Sequence, residues 1–180
     1  MSRVVWITGL PASGKTTLAR ALVTALEAEG IRATLVDSDE VRAVLTPQPS
    51  YEPNERAVVY RALAYLARRL DEAGVVPIVA ATAHARKIRD ETRAVCGGFF
   101  LVHARASQAV CEARDPKHLY REARSRTDGA MPGIHVAYEA PTDANVEVDT
   151  AVGSPEAGAK VVVDALKAHA PELWSREAAS

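Results

Sequence analysis

Residues 9–17 read GLPASGKTT, and the fold follows from how that stretch is flanked. It carries G-x-x-x-x-G-K-[ST] at Gly9, Gly14, Lys15 and Thr16. Before it runs Val4-Val5-Trp6-Ile7, apolar and β-prone; after it, Leu18 to Leu26 favours a helix. A strand, a glycine turn and a helix in that order make a phosphate-binding loop. The glycines let backbone N–H groups turn toward phosphate oxygens, and the helix dipole adds to the attraction. Lys15 is expected to reach the β- and γ-phosphates, and the Thr16 hydroxyl to hold Mg²⁺. A glycine turn that merely caps a helix would leave Gly9, Lys15 and Thr16 at these spacings unexplained.

Working outward, residues 3–8 are a continuous apolar run, the signature of a buried parallel strand. Further strands are expected over 32–36, 75–81, 99–103 and 145–149, the last at an edge. Pro77 weakens the third. Helices are expected from the loop to about Glu29, briefly after Asp39, over 54–73 and 85–95, from Ser107 to Arg114, and from Ser154 to about Ala168. In the helix over 54–73, Val59, Leu63, Leu66 and Leu70 share one face. Residues 115–135 are charged and weakly periodic, and read as a mobile segment that closes over phosphates through Lys117, Arg121, Arg124 and Arg126. The tail 171–180 is expected to be peripheral. Alternating strands and helices imply a parallel sheet covered on both faces, with ligands at the carboxyl ends of its strands.

One domain over 1–170 suits a chain of 180 residues. Its composition, 48% hydrophobic and 25% charged, is that of a soluble globular protein. The net charge of −1 gives no electrostatic footprint for nucleic acid or an anionic membrane. Cys96 and Cys111 are far apart, which suits a reducing compartment. With no apolar run near the ~20 residues of a membrane span and a nucleotide loop close to residue 1, no leader or anchor is expected, and the protein is placed in the cytoplasm.

Asp37 and Asp39 follow the second strand and therefore converge on the loop. Two carboxylates beside a triphosphate can divide the work of a kinase: one orients Mg²⁺ or its waters, the other accepts the proton of an attacking hydroxyl. Either could instead simply cap the next helix. Arg42 lies one turn beyond Asp39. Arg56 and Arg61 could bind an anionic substrate in bidentate fashion, or form a solvated charged face. His84, His103, His118, His135 and His169 show no metal-ligand spacing.

Four blocks together resemble the adenylyl-sulfate kinase family. GLPASGKTTLA at 9–19 is similar to its loop, LVDSDEVR at 35–42 to its LDGDNVR segment, ARDPKHLYREAR at 113–124 to RDPKGLYKKAR, and PGIHVAYEAPTDANVEVDT at 132–150 to its GIDDPYE…VVDT segment. The last two blocks are the most particular to that family. The resemblance implies a P-loop NTPase, nucleoside-monophosphate-kinase-like, with three α/β/α layers and a five-stranded, mostly parallel sheet. It implies transfer of the ATP γ-phosphate to the 3′-hydroxyl of adenylyl sulfate in sulfate assimilation, with Mg²⁺, and often a homodimer. Gly9, Pro11, Ala12, Ser13, Gly14, Lys15, Thr16 and Thr17 would hold the ATP phosphates, and Arg114 would pack on the ATP adenine. Thr16 and Asp37 would serve the metal, with Lys15, Asp37 and Asp39 catalytic. Asp39, Arg42, Tyr51, Arg56, Arg61, Lys117 and Leu119 would face the acceptor, with Tyr51 stacked on its purine where the family has Phe; Tyr120 belongs to the same closing segment. Four positions depart from the pattern. Val59 replaces an Asn, Thr82-Ala83-His84-Ala85-Arg86 replaces ISPYR, His118 replaces a Gly, and His135 replaces an Asp. These cluster on the acceptor side. A kinase of another small hydroxyl compound therefore remains open beside an adenylyl-sulfate kinase, as does a non-catalytic ATP-binding module.

Overall fold

The computed structural model describes residues 3–127 and 129–175. Five strands form one sheet in the order β2-β3-β1-β4-β5: β1 Val5–Thr8, β2 Ala33–Asp37, β3 Val76–Ala80, β4 Phe100–Arg105 and β5 Val146–Asp149. Every pairing is parallel, with Trp6 opposite Val79 on one side and Leu101 on the other. Alternation splits the core in two. Val5 and Ile7 face the layer built by helices α1 (Lys15–Ala28) and α7 (Pro155–His169), while Val4 and Trp6 face α3 (Pro53–Glu72) and α4 (Arg86–Cys96). Both layers being apolar explains why the strands read as unbroken hydrophobic runs.

Pro77 sits inside β3 and opposite Thr34. The Val76 amide donates to Arg32 on the β2 side, and the Ala81 amide donates to Ile7 on the β1 side. Counting back by twos from Ala81, the N–H missing at Pro77 would have pointed toward Arg3, just before β1 begins. The proline removes a bond only where the ladder has not started.

Three expectations need correction. In α3 the buried positions are Val59, Tyr60, Leu63, Ala64 and Ala67, and Leu66 is 41% exposed. Ala64 and Ala67 let α3 approach α4 closely enough for the Cys96 thiol to reach the Ala64 carbonyl at 3.6 Å, and a search for large apolar residues passes over them. Residues 115–135 contain a helix of their own, α6 (Leu119–Arg124). Its start is made by Asp115, whose carboxylate accepts from the Tyr120 and Arg121 amides at 3.1–3.2 Å. Six residues are too few for a periodicity to show. Finally, Pro171–Trp174 form a 3₁₀ turn whose Leu173 and Trp174 pack on the α1/α7 core, with the Trp174 indole donating to Glu29. The part of the expected peripheral tail beyond 175 lies outside the described residues. No helix of the described residues is long and apolar enough to cross a membrane.

Candidate active site

In this order the chain leaves β1 toward β2 and leaves β4 toward β5, so its connections part between the adjacent strands β1 and β4. That switch point opens a crevice at the strand ends. A cavity of about 900 Å³ lies there, near the upper end of the usual range for ligand pockets. The 9–17 loop and α1 form one end of it. The end of β2 with the following helix α2 (Ser38–Leu45), the start of α3, α6 and residues 129–135 form the other.

At the loop end, Gly14 takes φ +85° and Ala12 φ +58°, the left-handed conformations that turn successive amides inward. Pro11, Ala12, Gly14, Lys15, Thr16 and Thr17 line the cavity. Gly9 and Ser13 do not; they shape the loop from behind. A Cβ on Gly9 would sit 2.4 Å from Ser13 Oγ and 2.5 Å from the Ala104 carbonyl, so only glycine fits. The Ser13 carbonyl accepts from Thr150 Oγ1 at 2.6 Å, and the Pro11 carbonyl from the Tyr120 hydroxyl at 3.0 Å. Burial holds the Tyr120 phenol above its ordinary value, so it stays a donor. Lys15 Nζ donates to the Gly9 and Leu10 carbonyls at 3.1 and 2.7 Å. Burial pushes its ammonium down to about 8 against the opposing pull of Asp39 and Asp37.

Asp37 ends β2 and is 7% exposed. One carboxylate oxygen accepts from the Asp39 amide at 2.8 Å and caps α2; the other accepts from Thr16 Oγ1 at 2.7 Å. The capping and metal-site readings therefore fall on the same side chain. Asp39, one residue into α2, projects into the cavity and meets Lys117 Nζ at 2.5 Å. That contact raises the Lys117 pKa. It also ties the segment after α5 (Gln108–Arg114) across the crevice.

The other end is held by arginines that already have partners. Arg42 Nη1 pairs with Glu55 at 2.6 Å. Desolvation works against the Glu55 anion, but hydrogen bonds from Ser50 and Tyr51, with Arg42, hold its carboxyl below the ordinary value. Arg56 donates from Nε to the Tyr51 carbonyl at 2.8 Å, from Nη2 to the Ala130 carbonyl, and from Nη1 to His84 Nδ1 at 3.3 Å. Burial, then Arg56, lowers the His84 pKa, so the ring is neutral and accepts. The Arg42 guanidinium lies over the Tyr51 ring, 4.8 Å from the ring centroid, and the Tyr51 backbone takes φ +59°. Val59 lines the cavity while fully buried in the core. Behind His84, the Ala83 amide donates to the Tyr60 hydroxyl and the Ala83 carbonyl accepts from the buried Arg89, both at 2.8 Å.

Arg114, Lys117 and Leu119 line the cavity, Arg114 donating to the Thr150 carbonyl at 2.6 Å. Arg61 does not reach it. Its guanidinium bonds the Ala57 carbonyl on the exposed side of α3, so here the solvated-face reading wins. Reading the residues had not singled out Glu55, Arg89 or Thr150. Glu55 carries a signal, an acid in the first turn of a helix. Arg89 carries none, because nothing local marks a buried arginine. Thr150 sits at the end of the VEVDT strand.

The family model for adenylylsulphate kinase matches residues 1–149. The chain belongs to the adenylylsulphate kinase family. The adenylyl-sulfate kinase of Staphylococcus carnosus is 35% identical over 168 residues, which cover 92% of this chain and 84% of that protein. The APS kinase CysC of Mycobacterium tuberculosis, solved in complex with AMPPNP and APS, superposes with a TM-score of 0.84 at 30% identity, covering 92% of this chain and 98% of that one. A hexameric APS kinase from Thiobacillus denitrificans matches with a TM-score of 0.68 and 25% identity over 96% of this chain and 29% of that one.

Proposed function

We propose that the protein transfers the γ-phosphate of ATP to the 3′-hydroxyl of adenylyl sulfate, giving 3′-phosphoadenylyl sulfate and ADP. The observation that carries this reading is the split between Asp37 and Asp39. One carboxylate is bound to the loop's Thr16, and its neighbour projects into the same cavity toward the opposite end.

The ATP phosphates lie along the 9–17 amides, with Lys15 exchanging its two carbonyl partners for phosphate oxygens. The Thr16 hydroxyl and the Asp37 carboxylate, 2.7 Å apart, are hard oxygen donors that would hold a Mg²⁺ ion beside the triphosphate. Bound there, Mg²⁺ neutralises charge on the triphosphate. Asp39 accepts the proton of the acceptor hydroxyl as its oxygen bonds to the γ-phosphorus and the bond to ADP breaks. Lys117 releases Asp39 as the acceptor enters, and the 115–135 segment acts as the lid. Arg114 holds the donor nucleoside, and Tyr51, Arg42 and Arg56 shape the acceptor wall.

A second reading, a different small hydroxyl acceptor, is favoured by the departures at Val59, His84, His118 and His135. A coupled ADP-release assay with adenylyl sulfate against a panel of hydroxyl metabolites, with the product identified by mass, decides between them. Turnover with adenylyl sulfate far above the panel is expected. Turnover with another compound and none with adenylyl sulfate overturns the first reading.

A further inference from the structure

Most of the cations around the cavity are already committed. On the acceptor wall, Arg42 is paired with Glu55, and Arg56 has all three of its nitrogens on protein acceptors. On the lid, Lys117 is on Asp39, Arg121 donates to His118, and Arg124 forks onto Glu112 at 2.6 and 3.1 Å. Arg126 differs. Its backbone is fixed on both sides, the amide donating to the Ala123 carbonyl at 3.1 Å and the carbonyl accepting from His135 Nε2 at 3.2 Å. His135 Nδ1 in turn accepts from the Met131 amide at 3.2 Å, so the ring ties Met131 to Arg126. The Arg126 side chain lines the cavity and, among the described residues, makes no side-chain hydrogen bond or ion pair. Arg20, also at the cavity, belongs to the donor end by its place on α1.

We propose that Arg126 is the specificity-determining residue that binds the anionic group of the acceptor, a sulfate or phosphate ester carried next to the hydroxyl-bearing sugar. This rests on the acceptor reading above. An anion entering beside Arg56 meets a guanidinium with every nitrogen already held by a protein acceptor, whereas Arg126 offers a complete fork of five N–H donors. Its anchored backbone removes part of the ordering cost that a free lid arginine would carry. His135, in the place of the family's Asp, thereby becomes the residue that aims Arg126.

The test compares Arg126→Ala, Arg126→Lys and Arg68→Ala with the wild type, with Arg68→Ala deleting an equal charge from the exposed face of α3, outside the cavity. Losing one charge-assisted contact should raise the KM for adenylyl sulfate roughly ten- to a hundredfold in R126A, with kcat and the KM for ATP held within about twofold. R126K should recover part of the loss, and R68A should show none of it. A rise in the ATP KM instead, or the same loss in R68A, overturns the assignment. The second measurement is calorimetric titration of the MgADP-loaded protein with inorganic sulfate. Binding that is present in the wild type and lost in R126A supports the anion site whatever the acceptor, and equal binding in both overturns it. A wild type that binds sulfate through Arg126 yet does not turn over adenylyl sulfate would sink the acceptor reading and leave this one standing.

Discussion

The two ends of the cavity are built in opposite ways. The donor end comes from one strand, one turn and one helix, and its active groups are mostly backbone amides set by Ala12 and Gly14. The acceptor end is assembled from four separate segments tied to each other through side chains, with Arg56 as the knot between Tyr51, His84 and Ala130. A site made of backbone tolerates little change in its motif. A site made of side chains can be rebuilt one partner at a time, since each tie, such as Arg56 to His84, rests on a single side chain.

The sharpest break in that comparison should come from the donor end. Lys15→Ala is expected to lower turnover by roughly 10²–10³ or more while circular dichroism stays unchanged. The wild type adds a pH signature. Its ammonium sits at about 8 in the free protein, and bound phosphate must raise that value. Affinity favoured by the protonated form is complete below the free value and falls as pH rises through it. The KM for ATP should therefore be flat below pH 8 and climb by about tenfold per unit above it. Lys15→Arg should flatten the profile, and an unchanged climb in that variant would remove Lys15 as its source.

Asp39→Asn comes next, because it removes a base and leaves the donor cradle whole. Turnover should fall roughly 10²–10⁴ with ATP affinity nearly kept. Asp37→Asn should behave differently. Its amide oxygen can still cap α2, so the fold survives, but Mg²⁺ dependence should shift to higher metal concentration. If the two variants gave the same metal dependence, the division between the carboxylates would collapse.

What could be read in advance follows the same divide. The order of strands and helices outside residues 115–135, and the phosphate-loop motif, are legible, since each depends on neighbours within a few residues. Asp37 and Asp39 were legible as a pair, though not in their separate roles, because the roles depend on Thr16 and Lys117, far away in the chain. Arg61 stays open between two readings and Glu55 is passed over for one reason. On α3, a charge facing solvent and a charge facing the cavity differ only by a rotation that the sequence does not state. Leu66 and Ala67 show the same problem in the core.

Val59 tests how far the acceptor wall has been rebuilt. It is fully buried and lines the cavity. In Val59→Asn the amide would lose core packing, at about 1–3 kcal/mol, visible as a lower melting temperature. If its amide meets adenylyl sulfate as the family's Asn does, one hydrogen bond worth about 1 kcal/mol should lower the KM about fivefold. A KM that stays level or rises would mean that no matching group of the acceptor comes within reach, and would favour the different-acceptor reading.

The smallest effect belongs to His118. It opens α6 at φ +56° and ψ +22°, a left-handed conformation, which costs a side chain with a Cβ roughly 1–2 kcal/mol. Glycine, the family's residue there, avoids that cost but loses about 0.4–1 kcal/mol through a freer unfolded chain. The exposed contact from Arg121 to the ring, at 3.1 Å, adds little in water. The balance favours glycine slightly, so His118→Gly should raise the melting temperature by about 2 °C and leave kcat/KM for both substrates as it was. A falling melting temperature would show that the imidazole contributes more to the lid than backbone strain takes away. His118 would then join His84 and His135 as histidines that tie the acceptor side together.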